Sequence, residues 1–309
     1  MNPLQINLDA SSLSSAGCML NFKRVAIDGY REKVSGSALV YGSAVHKFID
    51  TMYKTGGHLG KALAEGREIF NKPKMSSSSV YLDDERHFVA TCYNAWYDFL
   101  AKDEQFETLM LPNGVPATEV TFSFPYYASP HLDVRLCGTI DRIGKIKNGV
   151  FAIRDFKTTS KYNIKEYLDS YRLSRQLRFY VLALQLMAER EPDSMLGQIG
   201  KQAVGCVIDG IFLKAKASDN IYQSSSVYMF GEDTMSKFRL MLDLFIDRLS
   251  YAVKNNSFHP EGILNGSCKG EYKCKFSPVC GAPSPVHDVM LSNNFIQVNY
   301  NPLKFGETL

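Results

Sequence analysis

Asp141 closes the run Gly138-Thr139-Ile140-Asp141, and Asp155-Phe156-Lys157 follows after a short turn, so two carboxylates and one amine fall in one stretch of chain. The turn, Lys147-Asn148-Gly149, stands between two apolar runs. Asn-Gly in that setting is the strongest short hairpin pattern. Pairing the strands across it brings Asp141 near Asp155, and period-2 alternation sets Asp155 and Lys157 on one face. Two carboxylates within reach of each other suit a hard cation such as Mg²⁺. A neighbouring lysine can orient or deprotonate a water, or offset charge building on a phosphate. The bland alternative is a pair of solvent-facing strand carboxylates. It fits poorly, because both acids sit inside apolar runs where a buried charge needs a partner. Lys157 could equally be the ion-pair partner of Asp155, and the two roles are compatible.

Other residues carry less on their own. Glu119 opens an alternating strand ahead of the hairpin; it is either a further acid of the site or an edge-strand surface residue, and both readings stand. His46 lies on an apolar helix, where a lone histidine is more often a packed core residue. Gln176 and Tyr180 are spaced i, i+4 on one helix face, as in any amphipathic helix with a polar edge. Between Arg154 and Arg178 the chain has seven basic residues against three acids, among them Arg172, Arg175 and Arg178. Such a run is either a solvated helix face or a footprint for a phosphate backbone.

Taken in order, Gly42-Ser-Ala-Val-His46, Asp141, Asp155-Phe156-Lys157 and Gln176-Leu-Arg-Phe-Tyr180 resemble the motifs of the PD-(D/E)XK nuclease superfamily, in its RecB-like branch. Cys18 near the start and Cys268, Cys274 and Cys280 near the end resemble the cysteine bracket of that branch's iron–sulfur nucleases, the CRISPR-associated RecB-like exonucleases included. The resemblance covers about residues 11–281. It implies a restriction-endonuclease-like α/β fold, a central mixed sheet flanked by helices. It implies Asp141, Asp155 and Lys157 as catalytic residues, and Mg²⁺ or Mn²⁺ held by Asp141, Asp155, His46 and the Phe156 carbonyl. Histidine softens such a site toward Mn²⁺. It further implies Gln176 and Tyr180 against the substrate strand, with Arg172, Arg175 and Arg178 along the DNA backbone. Cys18, Cys268, Cys274 and Cys280 would hold a [4Fe–4S] cluster; four thiolates also suit Zn²⁺, but gaps of five residues fit zinc's usual short pairs less well. The activity implied is a DNA exonuclease on single strands or ends. The alternative is a non-catalytic DNA-binding or assembly subunit that keeps the fold. With no Gly-x₄-Gly-Lys-Ser/Thr run in the chain, a coupled helicase or recombination partner would be a separate protein.

The elements that must position these residues are readable in outline. Helices are expected over about 20–30, 43–54, 59–70, 83–101, 174–190 and 233–254. Strands are expected over about 117–127, 132–146, 150–157, 204–214 and 226–230. The expected organisation is one nuclease domain over 1–285. A helical insert (43–101) precedes the catalytic core (117–254), a cysteine-rich segment (266–281) follows it, and 286–309 form a tail. The composition, 45% hydrophobic and 22% charged with net charge +3, is that of an ordinary globular protein. No apolar run reaches the ~18 residues of a membrane span. The first residues lack the pattern of a signal peptide, so the expected location is cytoplasmic. In a reducing compartment, seven cysteines argue for metal or cluster binding over disulfides. Cys92, Cys137 and Cys206 sit in apolar runs and are expected in the core.

Overall fold

The computed structural model describes residues 2–75, 79–266, 268, 274–298, 302 and 307–308. The chain divides into two compact units. The first comprises Met1–Lys33, Thr121–Thr139 and Glu232–Leu309, and the second comprises Val34–Val120 and Ile140–Gly231. Helices flank a mixed sheet, as the restriction-endonuclease-like reading requires.

The second unit contains every expected catalytic and DNA-contacting residue. It opens with helices α1 (Ser37–Lys54), α2 (Leu59–Phe70) and α3 (Glu85–Asn94). Helix α1 begins six residues before the expected start, so Gly42 lies inside it. A Cβ there would come 2.7 Å from the Thr158 hydroxyl, so the bare glycine lets α1 lie close against that residue. Phe48, Ile49 and Met52 of α1 pack with Phe70 of α2 and Phe88 of α3 in one buried cluster. Asp84 caps α3 by accepting from the Arg86 N–H at 2.9 Å. The expected helix runs its length but changes pitch: after Asn94 it opens into a wider π turn (Ala95–Phe99), which sets Trp96 edge-on against Tyr53 at 4.8 Å, and it ends in a 3₁₀ turn (Leu100–Lys102).

Strands β1 (Phe106–Thr108), β2 (Thr118–Ala128), β3 (Leu132–Ile146) and β4 (Phe151–Thr159) follow. The chain of β2 and of β3 contributes residues to both units. The expected hairpin forms: Gly149 takes φ 84°, its N–H reaches the Ile146 carbonyl at 2.7 Å, and Arg142 pairs with Arg154. Helices α4 (Ile164–Ser170), α5 (Arg175–Arg190) and α6 (Met195–Gly200) lead to β5 (Val204–Phe212), which runs parallel to β4 over all nine residues. Each of α4, α5 and α6 starts at a side-chain cap: Asn163, Ser174 and Ser194. Every residue of β5 is buried, the mark of a parallel strand covered on both faces. The two short strands β6 (Ile221–Ser224) and β7 (Tyr228–Met229) pair antiparallel with β5; β7 is shorter than the expected 226–230.

In the first unit, Leu4–Leu8 runs parallel to the first half of β3, and α7 (Glu232–Lys254) packs Phe245 edge-on to Phe22 at 5.0 Å. Residues 20–30 are a short helix, Met19–Phe22, continued by a π turn, Lys23–Ile27, and not one long helix. The expected tail holds α8 (His287–Asn294) and a strand, Phe295–Gln297, paired with Tyr30–Glu32. Phe276, Val279, Leu291 and Phe295 form a buried cluster there.

Arg154 is the main departure from the sequence reading. It is counted above with the phosphate-facing charges, yet only 4% of it is exposed. Alternation turns it away from Asp155 to the other face of β4. There its guanidinium pairs with Asp103 and lies 3.4 Å from Asp209 Oδ2, while Ser224 donates to Asp209 Oδ1 at 2.6 Å. Arg142 lies beside it, its guanidinium 4.3 Å from the Tyr53 ring and 4.5 Å from the Phe106 ring, with Nε donating to Thr108. Removing one partner of a buried pair strands the other charge. Arg154→Met should therefore lower the free energy of unfolding in urea by about 3–5 kcal/mol. A loss below about 1 kcal/mol, the range of an exposed pair, would contradict the network.

Candidate metal centre

The hairpin delivers the expected pair. The antiparallel ladder ends at the Arg142–Arg154 pair, and Asp141 and Asp155 are the next residues on their strands, near enough for the Asp141 charge to raise the Asp155 pKa. Asp155 has no exposed surface. Lys157 Nζ lies 2.5 Å from its Oδ2, and Oδ1 accepts no hydrogen bond from any described residue. Asp141 is pinned differently: the Phe156 N–H donates to its Oδ2 at 2.8 Å. Helix α1, seated close by Gly42, brings His46 Nδ1 to 3.4 Å from the same oxygen.

Glu119 completes the group. Its backbone takes φ 47°, left-handed and unusual for a residue with a side chain inside a strand. The burial pattern of β2 loses its alternation just beyond it, with Val120, Thr121 and Phe122 all buried, as at a bulge. His46, Glu119 and Asp141 each offer a ligand atom, and the three lie within 4.8 Å of one another. Of the two readings open for Glu119, membership of the acid cluster is the one the geometry favours. Asp155, expected as a ligand, stands outside this trio and faces Lys157. At Phe156, expected to offer its carbonyl to a cation, the backbone N–H donates to Asp141 Oδ2 and the ring stands edge-on to the His46 ring at 6.1 Å.

The electrostatics suit a cation at this group. Burial, then Asp141 and Asp50, raise the Glu119 pKa well above the usual carboxylate range. Burial raises Asp155 to about 7; Lys157 opposes the shift and Asp141 adds to it. Burial pulls Lys157 down, but Asp155 and Asp141 outweigh it and the net shift is upward. Desolvation lowers His46, although 26% of its side chain is exposed, leaving a neutral imidazole able to ligate. An orphaned buried carboxylate oxygen, two carboxyls whose charge burial disfavours and an imidazole biased to its neutral form make a donor set suited to a hard divalent cation.

The remaining expected residues divide. Gln176 Nε2 donates to Tyr180 Oη at 3.0 Å, and the buried Tyr180 hydroxyl has its pKa raised first by burial, then by Asp155 and Asp141, so this pair borders the site. Arg175 is exposed on the first turn of α5. Arg172 is exposed and paired with Asp169 at 3.3 Å. Arg178 turns inward, donating to the Arg172 carbonyl and lying 5.3 Å from the Phe230 ring.

Cys92, Cys137 and Cys206 are fully buried, as expected. Cys18, Cys268, Cys274 and Cys280 all belong to the first unit. Residues 267 and 269–273 of the cysteine-rich segment lie outside the described residues. Among the described residues no three of these sulfurs converge to ligating distance. Cys280 Sγ instead accepts from Arg24 at 3.1 Å, and Cys18 Sγ lies 3.8 Å from the His259 carbonyl. The Cys268 thiol is nonetheless raised, by desolvation first and then by Cys274, Cys18 and Cys280. Among the described residues no helix is long and apolar enough to cross a membrane.

A family model described as the PD-(D/E)XK nuclease superfamily matches residues 11–281. No curated protein matches the chain. Among solved structures, the crystal structure of SSO0001 aligns at 13% identity with a TM-score of 0.28, covering 77% of this chain and 82% of that one.

The acid cluster has a pH signature. Between the ordinary aspartate value of 3.8 and about 7, the folded protein keeps a proton on Asp155 that the unfolded chain has released. Folded protein then binds more protons, so this group's contribution to stability falls as pH rises through that window. In EDTA, Asp155→Asn should therefore melt progressively higher relative to wild type from pH 4 to pH 7. Parallel melting curves across that range would refute the assignment.

Proposed function

The chain belongs to the PD-(D/E)XK nuclease superfamily, and from that premise we propose that it is a divalent-cation-dependent deoxyribonuclease acting as an exonuclease on single-stranded DNA or DNA ends. One observation carries the reading: the His46–Glu119–Asp141 trio beside the buried Asp155–Lys157 pair. His46, Glu119 and Asp141 would hold Mg²⁺ or Mn²⁺, with Asp155 at its edge. Such an ion, when bound, polarises a phosphate oxygen and acidifies water.

The chain's own residues do the rest. The upward shift keeps the proton on Lys157 Nζ, so the lysine acts as a positive charge for the phosphoryl oxygens and not as a general base. Asp155 holds that ammonium in place. The Phe156 N–H fixes Asp141, and Gln176 orients Tyr180 toward the site. Arg172 and Arg175, exposed before and at the start of α5, are the backbone contacts of the proposal; Arg178, turned inward, supports them. The preference for ends rests on the resemblance of Gly42–His46 and Gln176–Tyr180 to the RecB-like branch. A separate helicase or recombination protein is the partner that branch implies.

The test is end-labelled linear DNA beside circular DNA, with Mn²⁺, Mg²⁺ or EDTA. Metal-dependent loss of the linear form alone is expected, falling by at least about 10³-fold in Asp155→Ala, with DNA binding retained. Cleavage of both forms would make it an endonuclease. Binding without cleavage under any metal would favour the non-catalytic subunit.

The proposal extends to a [4Fe–4S] cluster on Cys18, Cys268, Cys274 and Cys280, which rests on the resemblance of these four cysteines to the bracket of the iron–sulfur branch. Anaerobically purified protein should carry about four iron atoms per chain with visible absorption. Stoichiometric zinc and a colourless protein would replace the cluster with a tetrahedral zinc site.

A further inference from the structure

Asp50 lies one turn beyond His46 on α1, so the two share a helix face. It is 5% exposed, and its charge is met by Lys54 Nζ at 3.2 Å and Lys47 Nζ at 3.8 Å. Helix pairing alone would account for those lysines. It does not account for the third contact: Thr118, the residue immediately before Glu119, donates its hydroxyl to Asp50 Oδ1 at 2.8 Å, and both side chains are buried. Thr118 is 2% exposed, and the next residue enters the left-handed region at φ 47°. A non-glycine residue is held in such backbone only where its surroundings determine it. The Thr118 hydroxyl bond is a tie of that kind, made at the point where the strand leaves ordinary geometry. Helix α1 thus contributes twice to the centre. His46 supplies a ligand atom, and four residues on Asp50 grips the strand that supplies another.

We infer that Asp50 and Thr118 are positioning residues: their buried hydrogen bond anchors β2 where Glu119 leaves ordinary strand geometry and so aims the Glu119 carboxylate at His46 and Asp141. This rests on the reading of the trio as a divalent-cation site. The bond touches neither the cation position nor the substrate, so it acts only through Glu119. Outer hydrogen bonds that orient ligands change metal affinity by about tenfold to a hundredfold when removed.

The measurement is Mn²⁺ affinity of the full chain by electron paramagnetic resonance, taken as the difference from Asp141→Asn. Thr118→Val should bind Mn²⁺ about tenfold to a hundredfold more weakly, and Thr118→Ser should restore wild-type affinity. Asp50→Asn should also weaken binding, and the Asp50→Asn, Thr118→Val double variant should lose no more than the worse single variant. Thr118→Ala is a second hydroxyl deletion should the valine variant fail to fold, and melting in EDTA checks each protein. Wild-type affinity in both hydroxyl deletions, a serine variant as weak as they are, or losses that multiply in the double variant would overturn the inference alone. Wild-type protein that binds no more Mn²⁺ than Asp141→Asn would overturn the cation site as well.

Discussion

A carboxylate with no solvent exposure, held in the middle of a sheet, is the condition around which the second unit is arranged. Asp155 can stay there only with a proton or a cation beside it. Lys157 supplies the cation from the same strand face, two residues on. The other face of β4 has the opposite problem, a buried arginine, and meets it with Asp103 and Asp209. A slip of one residue in register would exchange these two faces and put each charge against the wrong partners. The ionic pattern on both sides of β4 therefore specifies the register, and with it the approach of Asp141 to Asp155.

The acids of the site differ in what balances them. Asp50 has two lysines and a threonine hydroxyl. Asp141 has a backbone N–H and a neutral imidazole. Glu119 is desolvated beside Asp141 and Asp50, which raise its pKa, and the weaker pull of Lys54 and Lys47 opposes them. This gradation separates scaffold from site: full compensation marks a residue that holds others in place, and partial compensation marks one available to a ligand.

Much of the centre was legible in the sequence because its rules are local. Asn148-Gly149 fixes the hairpin, alternation then fixes which side chains share a face, and the order of the Gly42–His46, Asp141, Asp155–Lys157 and Gln176–Tyr180 motifs fixes what they would do together. Three features were hidden. Glu119 reads as the first polar position of an alternating strand, and nothing in its neighbours announces a positive φ. Arg154 reads as one more charge in a basic window; only the depth of β4 between Asp103 and Asp209 makes it internal. Asp50, flanked by lysines at i−3 and i+4, reads as an exposed helix pair, because the threonine it grips lies 68 residues away.

The nine-residue parallel ladder between β4 and β5 has a consequence for motion. β5 has no exposed residue, so its hydrogen bonds open only with the unit as a whole. Asp155 and Lys157, paired along that ladder, share its lifetime. Glu119 lies off that ladder, and the tie beside it is the Asp50–Thr118 bond. The two sides of the group are therefore secured differently: opening the Asp155–Lys157 side means opening the unit, whereas the Glu119 side hangs on one side-chain hydrogen bond.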